Sequence, residues 1–251
     1  MAGLDQALEQ ITAGKYDLAK AKARFKAEAL YGQFREAASE GDEAKADELA
    51  KQLQAAVKDG SFPGQSFDPA REKKELRLAM LQNEFRGAII NDDEKKAAEF
   101  GKKLQQFDPS INLDDLRQDI AAQKFAESYW RSICGEGEAG DRAKLTEQLP
   151  AKLKGRPDLA NNIAWAMLTG KPVVHRDVPL ALQISKQACE DSNWKRGSVI
   201  DTYARALFDS GKKEDAISYQ EKAVAVAEDD KKESIEQTLR SYKEGKTPPG
   251  E

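Results

Sequence analysis

The sequence predicts an all-α protein, a right-handed solenoid of about five helical hairpins closed by a C-terminal capping helix. Three observations carry that expectation. First, small residues recur with the spacing of a helical hairpin. Ala204, Gly211, Ala216 and Ala223 stand 7, 5 and 7 apart, and Ala181 and Ala188 repeat the last two 35 residues earlier. Ala164, Ala166, Met167 and Leu168 match Ala204, Ala206, Leu207 and Phe208 at an offset of 40, so the earlier hairpin has a longer turn. Second, residues 33–54 match residues 84–105 at 11 of 22 positions, among them Phe34/Phe85, Asp42/Asp93, Ala46/Ala97 and Leu53/Leu104. Third, the apolar residues follow helical spacing throughout, and no Val/Ile-rich alternation of strand type occurs.

In order, residues 1–15 place Leu4, Leu8 and Ile11 on one helical face and stop at Gly14. Residues 16–157 make three hairpins. The first, 16–58, joins helices over about 16–39 and 43–58 through Gly41 and Asp42. The loop 59–69, DGSFPGQSFDP, ends in Asp68-Pro69, a start signal for a helix over 70–90. That helix turns at Asn91-Asp92 into one over 93–107, so that 70–107 copies 16–58. The third hairpin, about 113–154, carries Ile120, Tyr129, Trp130 and Ile133, then the turn GEGEAG, then Leu145, Leu149 and Leu153. Residues 158–245 hold two hairpins, with helices near 158–169, 178–191, 196–210 and 213–228. A capping helix over 231–243 follows, with Ile235, Leu239 and Tyr242 on one face. The tail 246–251 is expected to be disordered.

The bulk numbers suit that architecture. The chain has 251 residues, 39% hydrophobic and 33% charged, with a net charge of −4. This is polar for a compact globule and fits a stack with a large surface. Charges of both signs are interleaved, so a strongly basic face for nucleic acid is not indicated and no nucleic-acid partner is expected. No run approaches the roughly 18 apolar residues of a membrane span. The first ten residues lack a basic segment followed by an apolar one, so no signal peptide is expected. The compartment is left undetermined. Cys134 and Cys189 are far apart and form no C-x-x-C pair, so both are expected as buried small residues.

Candidate chemistry is sparse. His175-Arg176-Asp177 spells a kinase catalytic trio, but Leu182 stands where such a loop needs Asn. Asp177 is instead expected to cap the helix that begins at Val178-Pro179. Asp92-Asp93-Glu94, Asp114-Asp115 and Asp229-Asp230 each fall at a helix start, where negative charge meets the helix dipole favourably. The chain is therefore read as non-enzymatic, with no catalytic residue, metal or cofactor. Trp130 and Trp194 are assigned to packing. Trp165 is the candidate aromatic anchor of a binding groove.

The spacing in 197–228 resembles a tetratricopeptide repeat, with Ala204, Gly211, Ala216 and Ala223 at its small positions. Phe107-Asp108-Pro109 resembles the proline-terminated end of such a unit. The match departs at Ile200, where the family has Trp, and at the missing closing proline. The resemblance implies a concave face on the first helix of each hairpin: Asn161, Trp165 and Leu168, then Asp201, Arg205 and Phe208. Asp201 argues against a clamp for acidic C-terminal peptides. The long turn 170–177 is placed at the groove's edge. A closer resemblance lies in NNIAWAMLTGK, from Asn161, and in DVPLALQISKQACEDSNWKRGSVIDTYARALFDSGKKEDAISYQEKAV, from Asp177. These are similar to the C-terminal helical region attached to bacterial thioredoxin-like (redoxin, AhpC/TSA-type) domains. LDQALEQITAGKYDLAKA resembles the last helix of such a domain running into its linker. The resemblance implies an accessory region that begins where a redox domain ends, itself without redox activity. The expected function is protein or peptide binding, or docking of an attached redox domain. A structural spacer or homodimerisation arm is the alternative, and a helical hydrolase ranks last. Both monomer and homodimer remain open.

Overall fold

The computed structural model describes residues 17–58 and 67–248, which form eleven α-helices and no strand. The helix expected within 1–15 lies outside the described residues. The chain divides into two compact units, residues 1–113 and 114–251.

The first unit holds α1 (Leu18–Glu40), α2 (Glu43–Lys58), α3 (Pro69–Ile90) and α4 (Glu94–Phe107). The repeated sequence builds repeated structure. Phe34 and Phe85, Ala46 and Ala97, and Leu53 and Leu104 are all fully buried. The turns match bond for bond. Asp42 accepts from the Lys45 N–H at 3.1 Å and Asp93 from the Lys96 N–H at 3.0 Å. Their own N–H groups reach back to the Ala37 and Ala88 carbonyls, each at 2.9 Å. One such cap is worth about 1 kcal/mol. The left-handed residue that ends the first helix is Gly41 at φ 82° in one copy and Asp92 at φ 55° in the other. A short acidic side chain tolerates that conformation better than most residues do.

The two hairpins are tied by α3. Tyr31 donates its hydroxyl to Glu72 at 2.9 Å, and Lys73 spans Glu43 (2.8 Å) and Asp47 (2.6 Å). Arg77 donates to the Ser39 carbonyl at 2.8 Å, closing the end of α1. Asp68 caps α3, with Pro69 in its first turn, as the sequence predicts. The first turns of α1 stay uncovered, and Phe25 is 75% exposed there.

The second unit holds α5 (Leu113–Ile133), α6 (Ala139–Leu153), α7 (Pro157–Thr169), α8 (Val178–Asp191), α9 (Gly197–Asp209), α10 (Lys213–Ala225) and α11 (Asp229–Lys243). One core runs from Ala126, Tyr129 and Ile133 through Leu149 and Leu153 to Met167, Ile184, Ile200 and Tyr242. The unit boundary falls at the first residue of α5, at 113/114, whereas the sequence reading divides the chain at 157/158. α7 pairs with α8 and α9 with α10, while α9 also packs on α7, α8 and α11. Ala164, Ala181, Ala188, Ala204, Ala216 and Ala223 are fully buried at these crossings, where a methyl side chain lets backbones come close. Gly197 is closer still. A Cβ there would stand 2.7 Å from the Ala227 Cα.

The turn 170–177 is occupied with helix ends. Arg176 donates to the carbonyls of Met167 (2.8 Å), Leu168 (2.6 Å) and Gly170 (2.6 Å), closing α7. Asp177 accepts from the Leu180 N–H at 2.9 Å and caps α8. The N–H groups of Val174 and His175 both reach the Ile133 carbonyl, at 2.9 and 3.0 Å.

Candidate binding cavity

Residues four apart on a helix share a face. On α7 that rule sets Asn161 below Trp165, and on α9 it sets Asp201 below Arg205. These four side chains line one cavity of about 500 Å³ in the second unit. That volume lies within the range of ligand sites. The same walls include Ser198 and Thr202 of α9. The third wall is α11, through Lys231, Ser234, Ile235, Thr238 and Tyr242, and Pro248 of the tail completes it.

Leu168 and Phe208, predicted on the same face, are not on the cavity surface. They are 5% and 8% exposed and belong to the core. The reason is explicit for Phe208, whose ring stacks on Tyr242 with centroids 4.4 Å apart. The turn 170–177 is likewise absent from the lining, because its N–H groups hold it to the end of α5.

The polar groups of the cavity divide into tied and unspent. Arg205, only 8% exposed, donates Nε to both carboxylate oxygens of Asp209, at 3.1 and 3.0 Å. Its Nη groups make no further hydrogen bond among the described residues. Gln220, fully buried on α10, donates Nε2 to Asp201 and to the Ile235 carbonyl (3.1 Å), joining α9, α10 and α11 under the cavity floor. Asn161 Oδ1 and the Tyr242 hydroxyl are buried and have no partner among the described residues. Burial drives the Tyr242 pKa upward, with the Asp201 charge adding to it, so the hydroxyl keeps its proton. The site thus offers guanidinium and hydroxyl donors, an amide acceptor and an aromatic wall. The single histidine and both cysteines lie elsewhere. Among the described residues no three His, Cys, Asp or Glu side chains group as a metal site.

The sequence reading missed Ser198, Thr202 and the α11 wall. Ser198 and Thr202 are themselves four apart beside Asp201 and Arg205, so the second row of α9 carried the signal. The other two tryptophans take the packing positions expected for them. Trp130 joins the core edge beside Gly170. Trp194, at φ 58°, meets Tyr203 edge-on at 5.7 Å and Tyr219 at 5.3 Å. Comparison of the chain with protein-family models, curated proteins and solved structures gave no match.

Proposed function

We propose that this chain is a tetratricopeptide-like helical-repeat module that binds a protein or peptide segment in the cavity between α7, α9 and α11. The observation that carries the reading is the convergence of Asn161, Trp165, Asp201 and Arg205 from two equivalent helices on one cavity. Unspent Nη donors and a buried, unpartnered Asn161 acceptor match the alternating carbonyls and N–H groups of an extended chain. Trp165 supplies the apolar anchor and Arg205 selects a carbonyl-rich or acidic segment. In this reading the module serves a thioredoxin-like protein, as the resemblance of 161–171 and 177–224 implies, and it carries no chemistry of its own.

The test compares capture of source-cell proteins by the unaltered chain and by Trp165→Ala with Arg205→Lys. Lysine is chosen because Arg205→Ala would leave Asp209 unpaired in a position only 19% exposed. The specific captures should disappear while helical content is retained. Capture that survives both changes refutes the cavity as the binding site.

The homodimerisation reading is favoured by a different feature, the exposed Leu18 and Phe25 at the start of α1. Light scattering on Phe25→Glu decides it. A dimer that becomes a monomer supports an arm, and a chain that is monomeric throughout rejects it.

A further inference from the structure

The tail begins with a chain reversal. Gly245, at φ 71°, donates its N–H to the Tyr242 carbonyl at 2.9 Å, and Lys246 donates to the Ser241 carbonyl at 2.9 Å. This six-to-one closure ends α11 and turns the chain back over it. Lys243 through Thr247 are exposed, yet Pro248 is half-buried again and stands on the wall of the cavity. A tail without attraction for the protein would stay in solvent beyond Thr247.

Proline suits this place. It has no N–H that needs a partner, and its φ is set in advance, so little conformational entropy is lost when it docks. Its ring is an apolar face of the kind that aromatic grooves accept in extended segments. Trp165 and Tyr242 both belong to the lining, and Asn161 Oδ1 awaits a donor.

We propose that the cavity is a site for a proline-bearing extended segment, and that Pro248, which borders one end of it, acts in cis as a resident competitor. The identity of the incoming partner rests on the peptide-binding reading above, whereas the placement of the tail does not. A tethered segment acts at an effective concentration on the order of millimolar, so even a weak internal ligand reduces access for an external one.

The test uses the full chain carrying Trp130→Phe and Trp194→Phe, so that Trp165 alone emits. It is compared with the same chain ended at Lys246, which keeps the Lys246 N–H bond that closes α11. Acrylamide quenching of Trp165 should rise in the shortened chain. The probe peptide acetyl-Lys-Thr-Pro-Pro-amide should bind the shortened chain about fivefold more tightly than the long one, as expected for removal of a tethered competitor. Equal quenching of the two chains overturns the proposal, as does a shortened chain that binds Lys-Thr-Ala-Ala as well as the proline peptide. If the double Phe background loses its fold, fluorotryptophan resonances of the otherwise unaltered chain report Trp165 instead. Failure of the two readings is separable. Quenching that rises on shortening, together with partner capture indifferent to Trp165→Ala, leaves the resident tail standing and removes the peptide-binding function.

Discussion

Gly197→Ala should destabilise the second unit, although helix propensity alone favours the change. Alanine is better than glycine within a helix by about 1 kcal/mol. At Gly197, the first residue of α9, the new Cβ would lie 2.7 Å from the Ala227 Cα, 3.0 Å from the Ala223 carbonyl oxygen and 3.1 Å from the Ala227 nitrogen. Ordinary carbon contacts sit at about 3.5–4.0 Å. All three neighbours are backbone atoms, so no rotamer change relieves the clash, and the end of α10 must move by roughly 1 Å to restore that spacing. Overpacking of this kind costs about 1–3 kcal/mol. Set against the propensity gain, the net loss is about 1 kcal/mol, and up to about 2 where α10 resists the shift. Tryptophan fluorescence in urea is the assay, because Trp130, Trp165 and Trp194 all lie in the second unit. Gly140→Ala, in the first turn of α6 with nothing within 4 Å of the new Cβ, is the internal control. It should raise the midpoint by up to the same propensity increment. A Gly197→Ala midpoint at or above that of the unaltered chain, with Gly140→Ala behaving as expected, refutes the close-approach argument.

Three further outcomes follow from the same core. Burial, with a smaller contribution from Glu190, pushes the Cys189 thiol up to about 12, so it holds its proton at neutral pH. Iodoacetamide at pH 8 should alkylate half-buried Cys134 and leave Cys189 untouched until urea opens the fold, as read by peptide mass spectrometry. Tyr242→Phe keeps the stack on Phe208 and removes an unpartnered buried hydroxyl. It should be neutral or stabilising by up to about 1 kcal/mol in urea, whereas Tyr242→Ala should cost about 3–5 kcal/mol. A clear loss in the Phe variant would show that the hydroxyl has an internal role. The Asp158 carboxyl is held below its ordinary range by its hydrogen bond to Arg196, 2.5 Å away. A depressed folded pKa stabilises at pH values above the ordinary one, about 3.9, and the contribution disappears as pH falls through the folded value. The pair is largely solvated, so the effect is at most about 1 kcal/mol. Asp158→Asn should lower the urea midpoint at pH 7 and leave it unchanged near pH 2, and an equal drop at both would reject the ion pair as its cause.

Local periodicity made much of this molecule legible, and it failed chiefly where a distant segment decides burial. Asp177 could be assigned as a cap because a cap bonds within three residues, here to the Leu180 N–H. Asn161, Trp165, Asp201 and Arg205 could be grouped because i,i+4 pairs and a repeat offset are both sequence quantities. Leu168 and Phe208 sit on the same helices, but whether they face solvent depends on what lies over them. For Phe208 that is Tyr242, 34 residues later in the chain. The number itself carried information that the reading of α11 as a simple cap left unused. An offset of 34 also aligns Asp201 with Ile235, and Gln220 bonds to both of those residues. On this register α11 stands where the first helix of a further hairpin would stand. A helix in that place presents a wall to its predecessor. Its polar row of Lys231, Ser234 and Thr238 faces the cavity, while Ile235 and Tyr242 enter the core. The last helix of the unit thereby lines the cavity on one side and closes the core on the other.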